Sequence, residues 1–227
     1  MLQYLVWEVF YCLVNKTHLG CLVKKKEEST TKILIAIPTF ENITPETFKS
    51  VYGLQADHML AFDYCKGYDC ATARNKIAQE SLDGGFDYVL MVDSDIIIPQ
   101  DSITHLTQDC PDVCVGVYPR KNTNCGETEL FKFSEKDYLD RFTYDDLSQY
   151  SDYDRIQVKG SGMGCALIKT EVFKKIPYPW FRYVQYDNGD VLSEDLYFCD
   201  KARKNGIDIV ADMRVGCGHL VRRFIYQ

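Results

Sequence analysis

Between Lys32 and Gly218 the chain alternates runs of consecutive apolar residues with polar stretches of helical period. The run Ile33–Ile37 in "KILIAIPTF" leaves no position for water, the pattern of a strand covered on both faces, and Pro38 is expected to stop it. Thr44 and Pro45 read as the cap and first turn of a helix running toward Leu54. "HMLAFDY" supplies a second strand. Thr72–Leu82 reads as a helix with Ala73, Ile77 and Leu82 on its apolar side, ended by Gly84 and Gly85. "DYVLMVD" predicts a third strand, buried on both faces. A helix from Gln100 to Leu106 and the strand "DVCVGVYP" follow.

This alternation predicts an α/β fold with a mostly parallel central sheet flanked by helices. The second half adds a small mixed-strand region, because "RIQVKGSGMGCALIKTEVFKKI" reads as strand, glycine loop, strand and short helix. Ser193–Asn205 reads as a helix ended by Gly206, and "IDIVAD" and "RVGCG" as two last short strands. The tyrosine-rich stretch from Ser134 to Tyr153 reads as an excursion from the sheet. Residues 32–227 thus form one expected domain, preceded by an extension, residues 1–31.

The extension is apolar but carries Glu8 and is broken by Asn15, Lys16 and Thr17, so it falls short of a continuous spanning helix. It has neither a basic start nor a small-residue cleavage site. The expectation is a helix packed on the domain. Weak peripheral membrane contact through its apolar face and Lys24, Lys25 and Lys26 is the alternative.

Charge and cysteines narrow the setting. The net charge of −7 argues against binding a phosphate backbone, so no nucleic-acid partner is expected. The 10 cysteines form no C-x-x-C pair, and Cys114 and Cys165 sit in apolar runs. Reduced core thiols in a cytoplasmic, or membrane-peripheral, protein are expected.

Candidate chemistry starts at "LMVDSDIIIPQ", where Asp93 and Asp95 interrupt a buried strand. Parallel α/β sheets place ligands at strand C-terminal ends, so the two carboxylates can project into a pocket. Close carboxylates need a compensating cation, donor or proton, and Mg²⁺ or Mn²⁺ bridging to a diphosphate would serve. The competing reading is a solvated turn in which Asp93, Ser94 or Asp95 caps the next helix. His219 in "VGCGHL" is a candidate third ligand, against a partly buried structural histidine. Glu194 and Asp195 open a helix, where carboxylates are favoured by the exposed amides alone. The functional alternative makes Asp195 a general base, with Glu194 its rival. Arg74 could neutralise a phosphate or pair with an acid. Thr39 and Glu41 lie just past the first strand, where a base or ribose could sit. "KGSGMGCALI" follows no phosphate-loop spacing, so its glycines serve a close backbone approach or a tight turn. Trp180 in "PYPWF" could stack on a sugar, but core packing is the favoured reading.

Together "ILIAIPTFE", "ATARNKIAQESLDGGFDYVLMVDSDIIIP", "GVYPRK", "GSGMGCALIKTEVFKKI", "PWF", "SEDLYFCDKARKNGI" and "CGH" resemble the nucleotide-sugar glycosyltransferases of the GT-A fold, in particular family-2-like bacterial and viral members. The resemblance covers about residues 32 to 220. It implies that Asp93-Ser94-Asp95 is the acidic metal motif, with Asp95 a direct ligand, Asp93 on the ribose or the ion, and His219 completing the site. It implies donor contacts from Pro38, Thr39, Glu41 and Arg74, and from Gly162, Met163 and Gly164. Asp63 stands near the place of a further acidic donor residue. Trp180 would be an acceptor-side aromatic, and Glu194-Asp195 the pair carrying the base of inverting members.

The expected activity is therefore transfer of a sugar from a nucleoside diphosphate-sugar, UDP-sugar favoured, to an acceptor hydroxyl on a glycan, lipid or protein. Mn²⁺ or Mg²⁺ would be the cofactor, and Asp195 the base of an inverting displacement. A retaining transferase on the same fold and a noncatalytic sugar-binding module are the alternatives. Arg222 and Arg223 read as solvated tail charges, with a diphosphate contact as the alternative. Oligomeric state is left open.

Overall fold

The computed structural model describes residues 30–121, 126–134 and 140–221. The expectations for the extension up to Ser29 and for Arg222 and Arg223 lie outside these residues. The first half runs β1 (Lys32–Thr39), α1 (Pro45–Tyr52), β2 (Met59–Lys66), α2 (Cys70–Asp83), β3 (Tyr88–Val92), β4 (Ile96–Ile97), α3 (Ser102–Thr107) and β5 (Val113–Val117). Next come β6 (Glu127–Phe131), β7 (Arg141–Thr143), α4 (Tyr144–Leu147), β8 (Arg155–Val158), β9 (Gly160–Ser161) and β10 (Cys165–Lys169). The chain continues through α5 (Thr170–Lys175), β11 (Val184–Gln185), β12 (Val191–Leu192), α6 (Glu194–Lys204), β13 (Ile209–Gly216) and β14 (Gly218–His219). Among the described residues no helix is long and apolar enough to cross a membrane.

A seven-stranded sheet in the order β2-β1-β3-β10-β5-β13-β8 forms the centre. Strands β2, β1, β3, β5 and β13 point one way, while β10 and β8 run against them. Alternate side chains of the central strands enter two cores. Leu34, Val89, Met91, Val115 and Ile168 pack toward Ile77 of α2, Phe173 of α5 and Phe198 of α6. Ile35, Ile37, Leu90, Val92 and Leu167 pack toward Val51 of α1 and Ile103 and Leu106 of α3. Because both faces are covered, the inner strands carry apolar residues at every position.

Local signals act as physics requires. Thr44 caps α1 by accepting from the Thr47 amide, with Pro45 in the first turn. Asp69 caps α2 through the Thr72 amide and hydroxyl. Gly84 ends that helix, and Gly85 then takes a left-handed φ of 65°.

Three expectations need correction. β1 continues past Pro38 to Thr39. Thr39 O faces β2, where it accepts from the Gly67 amide, so Pro38 faces the β3 side, and β3 pairing has already ended at Ala36. The missing N–H therefore costs no ladder bond. The first helix stops at Tyr52, short of Leu54. "IDIVAD" and "RVGCG" join into one strand, β13, whose register shifts between Ala211 and Gly216.

Candidate functional site

The C-terminal ends of β1, β2, β3 and β5 open into a cleft of about 700 Å³. Pro38 and Thr39 enter it at the end of β1 and Phe40 just after, Tyr68, Asp69 and Cys70 after β2, Asp93, Ser94 and Asp95 after β3, and Arg120 and Lys121 after β5. Glu129, Tyr183 and His219 close the lining. The cleft lies where a parallel sheet leaves backbone groups and loop side chains available to a ligand.

The Asp93–Asp95 turn is pinned on every side. Asp93 N donates to Gly164 O, Thr44 N to Ser94 O, and Leu220 N to Asp95 O. The short ladder between β4 and β14 pairs His219 with Ile96 and so carries the histidine to the turn. His219 Nδ1 lies 2.7 Å from Pro119 O; a carbonyl only accepts, so Nδ1 holds the proton. Nε2 is thereby turned to Asp95 Oδ1 at 3.5 Å. Burial lowers the His219 pKa, but the bonds to Asp95 and Pro119 O outweigh it and raise the value. Burial likewise works to raise that of Asp95, while His219 and Lys121 bring it below the ordinary carboxylate value. Lys121 Nζ is in direct contact with Asp95 Oδ2.

Asp93 behaves differently. Its Oδ1 accepts from Arg74 Nη2 at 2.7 Å, and Arg74 Nη1 contacts Glu194 Oε1. Arg74 is 3% exposed, and the two carboxylates overcome burial to hold it charged. Burial raises the Glu194 pKa against the pull of Arg74. This buried triad ties α2, the end of β3 and the start of α6 together. Arg74 is therefore an internal counter-ion with no face open to a phosphate, and Glu194 is its partner.

Asp195, the next residue, is half-buried and outside the cleft lining. Its Oδ1 accepts from Ser193 Oγ and from the Leu196 amide, which fixes the carboxylate plane. Glu129 on β6 lines the cleft, and burial pushes its carboxyl above the usual range.

Other expected residues fall elsewhere for identifiable reasons. Trp180 is a core side chain: its Nε1 donates to Phe173 O at 2.9 Å and Ile176 O at 3.1 Å. Asn75 holds this segment to α2 by accepting from the Trp180 and Phe181 amides. Met163 is 1% exposed in the core. Gly162 and Gly164 make room for Tyr118, whose hydroxyl would lie 2.3 Å and 2.8 Å from a Cβ at the two positions. That hydroxyl accepts from the Gly164 amide. Asp63 faces α2, outside the cleft lining, where burial, helped by a hydrogen bond with Asp63, raises Glu80 to about 7. Glu41 is exposed and also outside the lining.

Phe40, Tyr68, Asp69, Cys70, Arg120, Lys121, Glu129 and Tyr183 escaped sequence reasoning. Several follow the end of a strand of the main direction, a positional signal that would have singled out Phe40, Arg120 and Lys121.

Asp95 and His219 offer one oxygen and one nitrogen, while among the described residues no group of three metal-ligating side chains forms. Asp93 lines the same cleft with its Oδ1 held by Arg74. An ion held by Asp95 and His219 would need its remaining ligands from outside the chain. Such a mixed shell suits Mn²⁺ better than Mg²⁺, which prefers oxygen throughout.

No protein-family model matches the chain, and no curated protein matches it. Solved structures do. A197 from STIV superposes with a TM-score of 0.57 at 18% identity, covering 85% of this chain and 87% of that one. GalNAc-T7, solved with UDP, GalNAc and Mn²⁺, gives a TM-score of 0.57 at 11% identity over 86% of this chain. The match spans 45% of the GalNAc-T7 chain. With the sheet order and flanking helices described above, these superpositions show that the chain has a GT-A-like fold.

Proposed function

We propose that the protein is a metal-dependent glycosyltransferase that moves a sugar from a nucleoside diphosphate-sugar to an acceptor hydroxyl. The observation that carries this reading is Asp95 facing His219 Nε2 at the floor of a cleft at the strand ends. Asp95 and His219 would hold the ion. A bound Mn²⁺ or Mg²⁺ would offset the negative charge that develops on the departing diphosphate. Pro38, Thr39 and the exposed ring of Phe40 border the region for the nucleoside. UDP is favoured as the nucleotide through the motif resemblance, and the GalNAc-T7 complex is consistent with it. Buried free thiols at Cys114, Cys165, Cys199 and Cys217 suit a reducing cytoplasm.

Asp195 is assigned the base. Two bonds orient one of its oxygens, leaving the other to take the acceptor proton during direct attack at the anomeric carbon. That single displacement inverts the centre. Glu129 is the second reading, favoured by its place in the lining and its raised pKa. Proton NMR of nucleotide-sugar turnover with Mn²⁺ tests the proposal by reporting consumption and product anomer. No turnover across nucleotide sugars and hydroxyl acceptors, with no nucleotide binding, would refute the transferase reading; a retained anomer would refute the role of the base.

A further inference from the structure

The lining contains four carboxylates, Asp69, Asp93, Asp95 and Glu129, against two permanent cations, Arg120 and Lys121. Arg74 offsets Asp93 and Arg141 lies 3.5 Å from Glu129, so the cations left to face a diphosphate in this cleft are those of its own lining. The two built-in cations are not equivalent. Arg120 Nη1 holds Glu127 Oε2 at 2.8 Å. Lys121 instead lays its ammonium on Asp95 Oδ2, the carboxylate whose other oxygen faces His219. Its side chain is 37% exposed, so it can swing without disturbing either core.

We propose that Lys121 is a diphosphate-binding residue that rests on Asp95 in the free protein and transfers to the donor when a divalent ion takes its place on that carboxylate. This rests on the function proposed above. The physical reason is competition for one anion. A divalent ion bound by Asp95 repels an ammonium touching the same carboxylate, and the nearest new anion is the diphosphate that the ion itself recruits. A lysine suits this exchange because its compact charge rides on a flexible stem with freely rotating donors, unlike the fixed fork of an arginine. In the free cleft Lys121 also satisfies Asp95. The exchange therefore replaces one ion pair by another, with no carboxylate left unpaired.

The exchange predicts opposite effects of one substitution on two ligands. Lys121→Met removes the competitor, so Mn²⁺ alone, followed by electron paramagnetic resonance, should bind several-fold more tightly than to the unaltered full chain. UDP in saturating Mn²⁺, followed by calorimetry, should bind about tenfold more weakly, the loss of one charge-assisted contact. Lys121→Arg should recover most of the UDP affinity. A Lys121 that only props the Asp95 carboxylate would give the reverse for the metal, with Mn²⁺ weaker in Lys121→Met, and that result overturns the proposal. Unchanged UDP affinity in Lys121→Met also overturns it while leaving the functional reading intact. If the unaltered chain binds no nucleoside diphosphate with Mn²⁺, both fall together.

Discussion

Arg74 offers the sharpest energetic test of how the cleft is organised. Replacing it by Leu leaves Glu194, 5% exposed, and Asp93, with a side chain 34% exposed, facing each other without their cation. Stranding one partner of a buried ion pair costs about 3–5 kcal/mol. The Glu194 contact lies in that range, while the partly exposed Asp93 contact is screened and adds about 1 kcal/mol at most. A total of about 4 kcal/mol should lower the melting temperature by about 8–16 °C for a domain of this size. Urea unfolding gives the free energy directly. The double substitution Arg74→Leu/Glu194→Leu should cost clearly less than the sum of the single changes, with about 2 kcal/mol of coupling. Should Arg74→Leu yield too little folded protein, Glu194→Gln probes the same contact more gently and should cost about 2 kcal/mol. A loss below about 1 kcal/mol for Arg74→Leu, or additive single changes, would show that the triad does not organise the site.

Trp180→Phe should cost about 2 kcal/mol, because two carbonyls lose their indole donor and a small void opens, with the acceptor KM unchanged. A raised KM at unaltered stability would return Trp180 to the acceptor site. Asp195→Asn should lower kcat by about 100-fold or more while sparing donor binding, and Glu129→Gln should lower it far less. The reverse ranking in steady-state kinetics would make Glu129 the base. Glu80 has its pKa raised to about 7 by burial and by Asp63, above its ordinary value of 4.5. The stability it contributes is thus full below 4.5 and is lost as pH rises toward 7. Glu80→Gln should stabilise the protein at pH 8 by about 1 kcal/mol after allowing for solvent screening, and hardly at all at pH 4. Equal effects at both pH values in urea unfolding would refute the pairing.

The parts of the fold legible in the sequence are those set by local chemistry. Ile33–Ile37 and Tyr88–Val92 are apolar at every position because helices cover both faces, and Thr44-Pro45 and Gly84-Gly85 are local cap and stop signals. The direction of β10 between β3 and β5 was not legible, since a run such as "CALIK" packs equally well either way round. Within the site, the placement of Asp95 and His219 followed from strand-end position, although the β4–β14 ladder that joins them spans over a hundred residues. Arg74 and Trp180 mark the limit. Both occur in motifs suggestive of ligand contact; core packing is the favoured sequence reading for Trp180 and an acid partner one reading for Arg74, and the fold supplies the internal partners of the indole and the guanidinium. Lys121 follows a strand end, which marks it as a candidate, but the carboxylate it meets is visible only in the fold.

We propose that this cleft takes a nucleoside diphosphate through a metal held by Asp95 and His219. Calorimetric titration of UDP into the full chain, with and without Mn²⁺, and into Asp95→Ala with Mn²⁺ tests it most directly. Binding to the unaltered protein should depend on Mn²⁺ and be lost or strongly weakened in Asp95→Ala. Binding of equal strength in all three titrations, or none with any nucleoside diphosphate, would contradict it.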